Sequence, residues 1–186
     1  TKEAYEVVNQ MYSCDGNFAQ KEMIRPSGEP ILPLTKWALS FGDGDKMYTV
    51  TENRELNYQR DGLRKAYNDY YVKNKVDFII SPTYVGVAPV CIEDGLAGPY
   101  YWGYTSLFNI LDLPTLTFPT NLSQDPKIDL KDDTYQPRSE LDKIEQDKYI
   151  PELFEGAPIC FQLTSRRYFD EETVAFGKVL EEILAN

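Results

Sequence analysis

Apolar residues recur every three to four positions in several stretches of the chain, and each such stretch predicts a helix with one greasy face. Ala4, Val7, Val8, Met11 and Tyr12 mark the first, over residues 2–14, and Asp15-Gly16-Asn17 ends it as a turn. A second short helix is read over Phe18 to Ile24, before Pro26-Ser27-Gly28. Trp37 to Phe41 is a short apolar patch, stopped by Gly42-Asp43-Gly44-Asp45. Leu56, Leu63, Ala66, Tyr67, Tyr70 and Tyr71 then share one face of a long helix, which Thr51 or Asn53 can cap and which ends near Asn74. Tyr104, Leu107, Phe108 and Leu111 give a shorter helix. Phe176, Val179, Leu180, Ile183 and Leu184 give the last one, with Asp170 as its cap.

Between these lie three short runs of the kind that forms buried strands: Val76 to Ile80, Leu116 to Phe118 with Pro119 closing it, and Ala157 to Leu163. Residues 82–103 are rich in Gly, Pro and small side chains and predict a long ordered loop, a place where function often sits. Residues 121–149 are hydrophilic and predict a surface excursion with one helical turn around Glu140 to Glu145. The order of elements points to an α/β fold with at least three strands in one sheet. Its pivot is Tyr104 to Pro119, a helix, a proline-marked turn and a strand. Asn109 and Asp112 interrupt that apolar stretch, where an unpaired polar group is expensive. Both are therefore expected to have fixed partners that tie helix to strand.

Composition narrows the function. The 186 residues suggest one domain, and a net charge of −11 argues against nucleic acid and anionic membrane surfaces as partners. No apolar run is long enough to span a bilayer, and the polar start Thr1-Lys2-Glu3-Ala4 has no signal-peptide character. Cys14, Cys91 and Cys160 are an odd set at irregular spacing, which fits neither a disulfide framework nor a zinc site and suggests a reducing, cytoplasmic setting. Asp43 and Asp45 lack the further ligands of a calcium loop. The chain contains no histidine, which removes Ser-His-Asp and Cys-His catalysis and the usual zinc-hydrolase ligand sets together. Phosphate loops, dinucleotide fingerprints and Gly-x-Ser-x-Gly elbows are also missing, so on local chemistry alone the sequence carries no complete active site.

Three segments nevertheless form a recognisable set. They are Asp77-Phe78-Ile79-Ile80-Ser81-Pro82-Thr83, then Tyr104-Thr105-Ser106-Leu107-Phe108-Asn109-Ile110-Leu111-Asp112-Leu113-Pro114 with Pro119, then Gly156-Ala157-Pro158-Ile159-Cys160-Phe161-Gln162-Leu163-Thr164-Ser165-Arg166-Arg167. In order and spacing they resemble the C-terminal portion of amidase signature enzymes, with a flavour closest to fungal acetamidase-like and fatty-acid-amide-hydrolase-like members. The resemblance implies an α/β/α sandwich around a mixed twisted sheet. It also implies hydrolysis of carboxylic amides to acid plus ammonia or amine by a Lys–cis-Ser–Ser triad, without metal or cofactor. The family's Gly/Ser-rich signature and triad lysine have no match in residues 1–186, so no catalytic residue is carried over and the chain alone is expected to be inactive. Thr83, Tyr84, Tyr104 and Phe108 are expected to wall a pocket for a small-molecule amide. Asn109, Asp112, Gln162 and Arg166 are read as structural polar residues. Self-association, or pairing with a missing N-terminal half, follows from the same reading. A non-catalytic binding or scaffold module that retains the fold stays open as the alternative.

Overall fold

The protein was analysed as a computed structural model that describes residues 2–89, 98 and 101–184. Four helices come first: α1 (Lys2–Tyr12), α2 (Phe18–Ile24), α3 (Pro33–Ala38) and α4 (Val50–Asn74). They are followed by β1 (Phe78–Pro82), α5 (Gly103–Leu111), β2 (Thr115–Ser123), α6 (Glu140–Lys148), β3 (Pro158–Ser165) and α7 (Asp170–Leu184). The expected long loop falls partly on residues 90–97, 99 and 100, and Cys91 with it, which lie outside the described residues.

The strands form one open sheet in the order β1-β3-β2, with both pairs antiparallel. The pleat of the central strand assigns its two faces, because successive side chains point opposite ways. Gln162 and Thr164 face α5: Gln162 Nε2 donates to the carbonyl of Tyr104 at 3.0 Å. Leu163 and Ser165 face α7, where the Ser165 and Thr173 hydroxyls are 2.6 Å apart. Phe78, paired with Ser165, stacks on Phe176 of α7. Gly177 leaves room for Leu116, whose Cδ2 would lie 2.2 Å from an added Cβ. Helices thus cover both faces of the sheet.

The apolar core sits among α1, α4 and α5. Ala4, Val7, Val8, Leu56, Ile110 and Leu111 are buried together, with Met11, Leu63, Tyr67 and Leu107 packed around them. The predicted stripes place all of these but Ile110, while Tyr12 of the first stripe and Val179 and Ile183 of the last are exposed; each fully buried Leu or Val contributes about 1.5–3 kcal/mol. The long helix departs from expectation at its start. Its cap is Thr49, whose Oγ1 accepts from the Glu52 N–H while the Glu52 carboxylate accepts from the Thr49 N–H. This reciprocal box begins the helix before Thr51 and Asn53. Its later stripe is also narrower than expected: Ala66 and Tyr70 are exposed, while Tyr71 is buried.

Three further expectations are corrected. The strands were expected to be of buried type, but the outer two are partly exposed, with Ile80 open and Leu116 and Phe118 half-buried, because among the described residues only β3 has a neighbour on each side. β2 also runs through Pro119 to Ser123, with an irregular register after the proline; an outer strand tolerates the missing N–H. At the last helix Asp170 is the first helical residue, and Phe169 holds the cap place, its carbonyl accepting from the Thr173 N–H.

Asn17, which sequence reasoning treated only as a turn residue, is buried at φ 57° and donates to the carbonyls of Leu39 and Gly44 at 2.9 and 3.2 Å. It pins the 39–44 turn against α1. The Trp37–Phe41 patch becomes α3 and its end, and both rings pack on Trp102.

Candidate functional site

A cavity of about 570 Å³ opens between the segment after β1, the start of β3 and the 124–149 excursion. That volume lies in the range of small-molecule sites. Its apolar side is Pro82, Val85, Val87 and Pro89 facing Ile159, Phe161 and Phe154. The polar side comes from the excursion: Gln124, Asp129, Tyr135, Asp142, Glu145, Gln146, Lys148 and Tyr149.

The excursion is more ordered than its composition suggests. Where one helical turn was expected there is a nine-residue helix, α6. Ser139 caps it by accepting from the Asp142 N–H at 3.1 Å, and Lys143 pairs with Asp147 one turn on. Tyrosine hydroxyls then fasten this layer. Tyr135 donates to Asp142 at 2.7 Å, Tyr149 donates to the Asp129 carbonyl at 2.6 Å, and Tyr84 donates to Glu145. The Arg138 backbone N–H and the Tyr135 hydroxyl hold the Asp142 carboxyl below its ordinary range, and the same carboxylate pushes the Tyr135 hydroxyl up. Glu145 also lies 3.5 Å from Lys148.

One acceptor is left open. Gln124 is 4% exposed. Its Nε2 donates to the Tyr149 hydroxyl at 3.1 Å, and its Oε1 has no partner among the described residues. Because the single proton of Tyr149 goes to Asp129, the orientation of the Gln124 amide is fixed with its oxygen unpaired. A ligand carrying an N–H or O–H would satisfy it. Cys160 lines the cavity and, among the described residues, no serine does, and its lysine faces a carboxylate. Among the described residues no group of His, Cys, Asp or Glu could hold a metal, and no helix is long and apolar enough to cross a membrane.

The residues singled out in the sequence fall in different places. Tyr84 lines the cavity, and Thr83 beside it donates to the Cys160 carbonyl at 3.3 Å. Tyr104 and Phe108 belong to α5 and do not line it; Phe108 is buried, and the Tyr104 ring meets Tyr101 edge-on. Gln162, 2% exposed, is the bolt between them. Its Nε2 reaches Ser81 Oγ at 3.2 Å and the carbonyls of Pro82 and Tyr104 at 2.9 and 3.0 Å. Asn109 and Asp112, expected in an apolar setting, are both exposed, because they lie on the outer side of α5 and at its end. Asn109 donates to the Tyr12 hydroxyl at 3.1 Å, so it links helix to helix rather than to a strand. Asp112 closes α5 in the left-handed region at φ 58°, and its carboxylate pairs with Arg167 beyond β3. Arg166 lies over the Phe169 ring. The excursion tyrosines were missed; the recurrence of Tyr beside Asp and Glu across residues 129–149 was the available signal.

The profile of the amidase family matches residues 3–174. The chain belongs to that family. Over its whole length it superposes on a solved fatty acid amide hydrolase with a TM-score of 0.92 at 49% identity, and spans 32% of that chain. A Schizosaccharomyces pombe protein named as an amidase is 36% identical over 94% of this chain and 31% of its own length. The acetamidase of Emericella nidulans is 29% identical over 98% of this chain and 33% of its own. The chain therefore spans about a third of the length of the curated relatives it matches. Its α/β architecture is the corresponding part of the amidase α/β/α sandwich.

Proposed function

We propose that this chain is the C-terminal portion of an amidase-signature hydrolase, one that cleaves carboxylic amides to acid plus ammonia or amine. In this reading the nucleophilic serine, the cis-serine that relays its proton and the lysine that receives it belong to the preceding part of the enzyme. The carrying observation is the pairing of a match across nearly the whole chain with coverage of only about a third of each relative. That coverage agrees with the lack of a Gly/Ser-rich signature in residues 1–186. The chain's own contribution is a rigid wall: β1 and α5, bolted together by Gln162, and the cavity whose open Gln124 oxygen suits an amide N–H. In this reading the enzyme works in a reducing, cytoplasmic setting, which the odd and irregularly spaced cysteines support.

The reading is tested by assaying release of ammonia from acetamide, and of amine from a longer-chain amide, with two preparations. Protein made from the complete reading frame should turn over at least one of them, and residues 1–186 alone should turn over neither. Turnover by residues 1–186 alone would disprove the assignment of the catalytic groups to another part. Inactivity of the complete protein across a panel of amides would favour the scaffold module instead.

A further inference from the structure

A second hollow, of about 310 Å³, lies on another side of the molecule. It is bounded by α4, the corner between α5 and β2, and the corner between β3 and α7. In a chain of net charge −11 its lining carries Arg64, Lys65, Arg166 and Arg167 and, among the described residues, no carboxylate. Concentrating like charges in this way is unfavourable unless an anion joins them.

The anions already nearby do not suffice. Asp112 pairs with Arg167 and stands 4.0 Å from Arg64, Asp61 stands 3.9 Å from Arg64 but is held by Arg60 at 2.9 Å, and Lys65 pairs with Asp69 along its own helix, so three carboxylates face five cationic side chains. Arg166 has no carboxylate partner among the described residues and lies 4.4 Å over the Phe169 ring. Arg64 is aimed by its Nε, which donates to the Ile110 carbonyl at 2.9 Å, while its outer nitrogens stand 3.9 Å from Asp61 and 4.0 Å from Asp112, beyond hydrogen-bonding distance. Burial pushes the Arg64 guanidinium down, and Arg60 and Arg167 push it the same way, against the pull of Asp112 and Asp61.

One feature points to a ligand. Tyr71 is 1% exposed, lines the hollow, and its hydroxyl has no partner among the described residues. Burial raises it to about 12, so it remains a donor at neutral pH. A buried hydroxyl without a partner is destabilising, and an incoming acceptor would relieve that cost. At the rim Tyr168 is held at φ 69°, a strained setting for a bulky residue, with Arg167 4.7 Å above its ring.

We propose that this hollow binds a phosphate group, with the Arg64 and Arg166 guanidiniums supplying the charge and the Tyr71 hydroxyl donating to one oxygen. Phosphate is preferred to a carboxylate because the unmet positive charge exceeds one, and guanidinium forks match its oxygens. The phosphate could be free or carried as an organic monoester, for which the Tyr67 and Tyr168 rings offer a flanking surface.

The test is a calorimetric titration of protein from the complete reading frame with inorganic phosphate, and separately with phenyl phosphate, against sodium chloride at matched ionic strength. Saturable binding of either phosphate above the chloride control is expected. Stronger binding of phenyl phosphate identifies a monoester and equal binding identifies free phosphate. Tyr71→Phe should weaken binding about tenfold, the scale of one charge-assisted hydrogen bond, yet leave the melting temperature in phosphate-free buffer unchanged or higher. A residue with only a structural hydrogen bond would do the opposite. Arg166→Gln should weaken binding at least as much. No binding above chloride overturns the proposal, and so does binding that Tyr71→Phe leaves intact. If Arg166→Gln does not fold, the wild-type titration and Tyr71→Phe still decide.

Discussion

Leu111 and Tyr149 stand at the centres of two regions that hold together by different means. Leu111 is 2% exposed in the dry core of α1, α4 and α5, where almost every contact is apolar. Tyr149 packs on Phe154 but owes its place to its hydroxyl, which accepts from Gln124 and donates to Asp129. Around it the excursion is fastened by other tyrosine–carboxylate bonds rather than by a core of its own. The first region gains from excluding water, whatever the orientation of its side chains. The second depends on individual bonds whose partners must be in place, so it is the part of the molecule that opens locally at least cost.

That difference sets the scale of what substitutions should do. Leu111→Ala removes a packed side chain at the junction of three helices and should cost about 2–5 kcal/mol, the range for cavity-forming changes. Chemical denaturation should show the whole transition moving to lower denaturant. A loss below about 1 kcal/mol would mean that the core collapses around the gap and is looser than its burial implies.

Tyr149→Phe tests the other region. It keeps the ring against Phe154 but strands the Gln124 amide and the Asp129 carbonyl, at a cost of about 1–3 kcal/mol. The damage should stay local. Limited proteolysis should cut faster within residues 124–149, while amide exchange in α1, α4 and α5 stays at its wild-type rate. Equal loosening of both regions would show that the excursion is part of the core's cooperative unit, and the contrast drawn above would not stand.

The same contrast explains what could be read in the chain. Ala4, Val7 and Val8, or Phe108 and Leu111, are placed by spacing, since a buried face imposes a period of three to four on the sequence. The Gln162 bolt was visible as a lone amide in an apolar strand, which implies a partner, though its three acceptors come from segments 58 to 81 residues away. Asn109 and Asp112 misled because apolar neighbours in sequence are not neighbours on a helix: Asn109 stands between buried Phe108 and Ile110, and Asp112 between buried Leu111 and half-buried Leu113, yet both point outward. The cavity was the least legible feature. Its polar wall is spread over residues 124–149, and a run of Tyr, Asp and Glu reads the same whether its groups face water or one another. The charged hollow beside Tyr71 shares this property, since Arg64 and Arg166 are about a hundred residues apart in sequence and meet only through the fold.

A last prediction concerns a polar lock within the apolar region, at the start of α4. The Glu52 carboxyl is lowered to about 2 from an ordinary 4.5, first by the Thr49 backbone N–H, then by Lys46 and the Thr49 hydroxyl. A carboxyl whose pKa is depressed by folding stabilises the protein above its unfolded value and loses that contribution as pH falls through its folded value. The stabilisation should therefore be complete above about 4.5 and fade toward about 2. Melting temperatures of wild type and Glu52→Gln should differ by a constant amount from neutrality down to about pH 5 and converge below it. Because this carboxylate is at the surface and screened by water and salt, the gap should be the smallest of the three effects, and it should shrink as salt is raised. A gap that persists unchanged at pH 2 would show that the box acts through the shape of the turn alone and not through the charge at its third position.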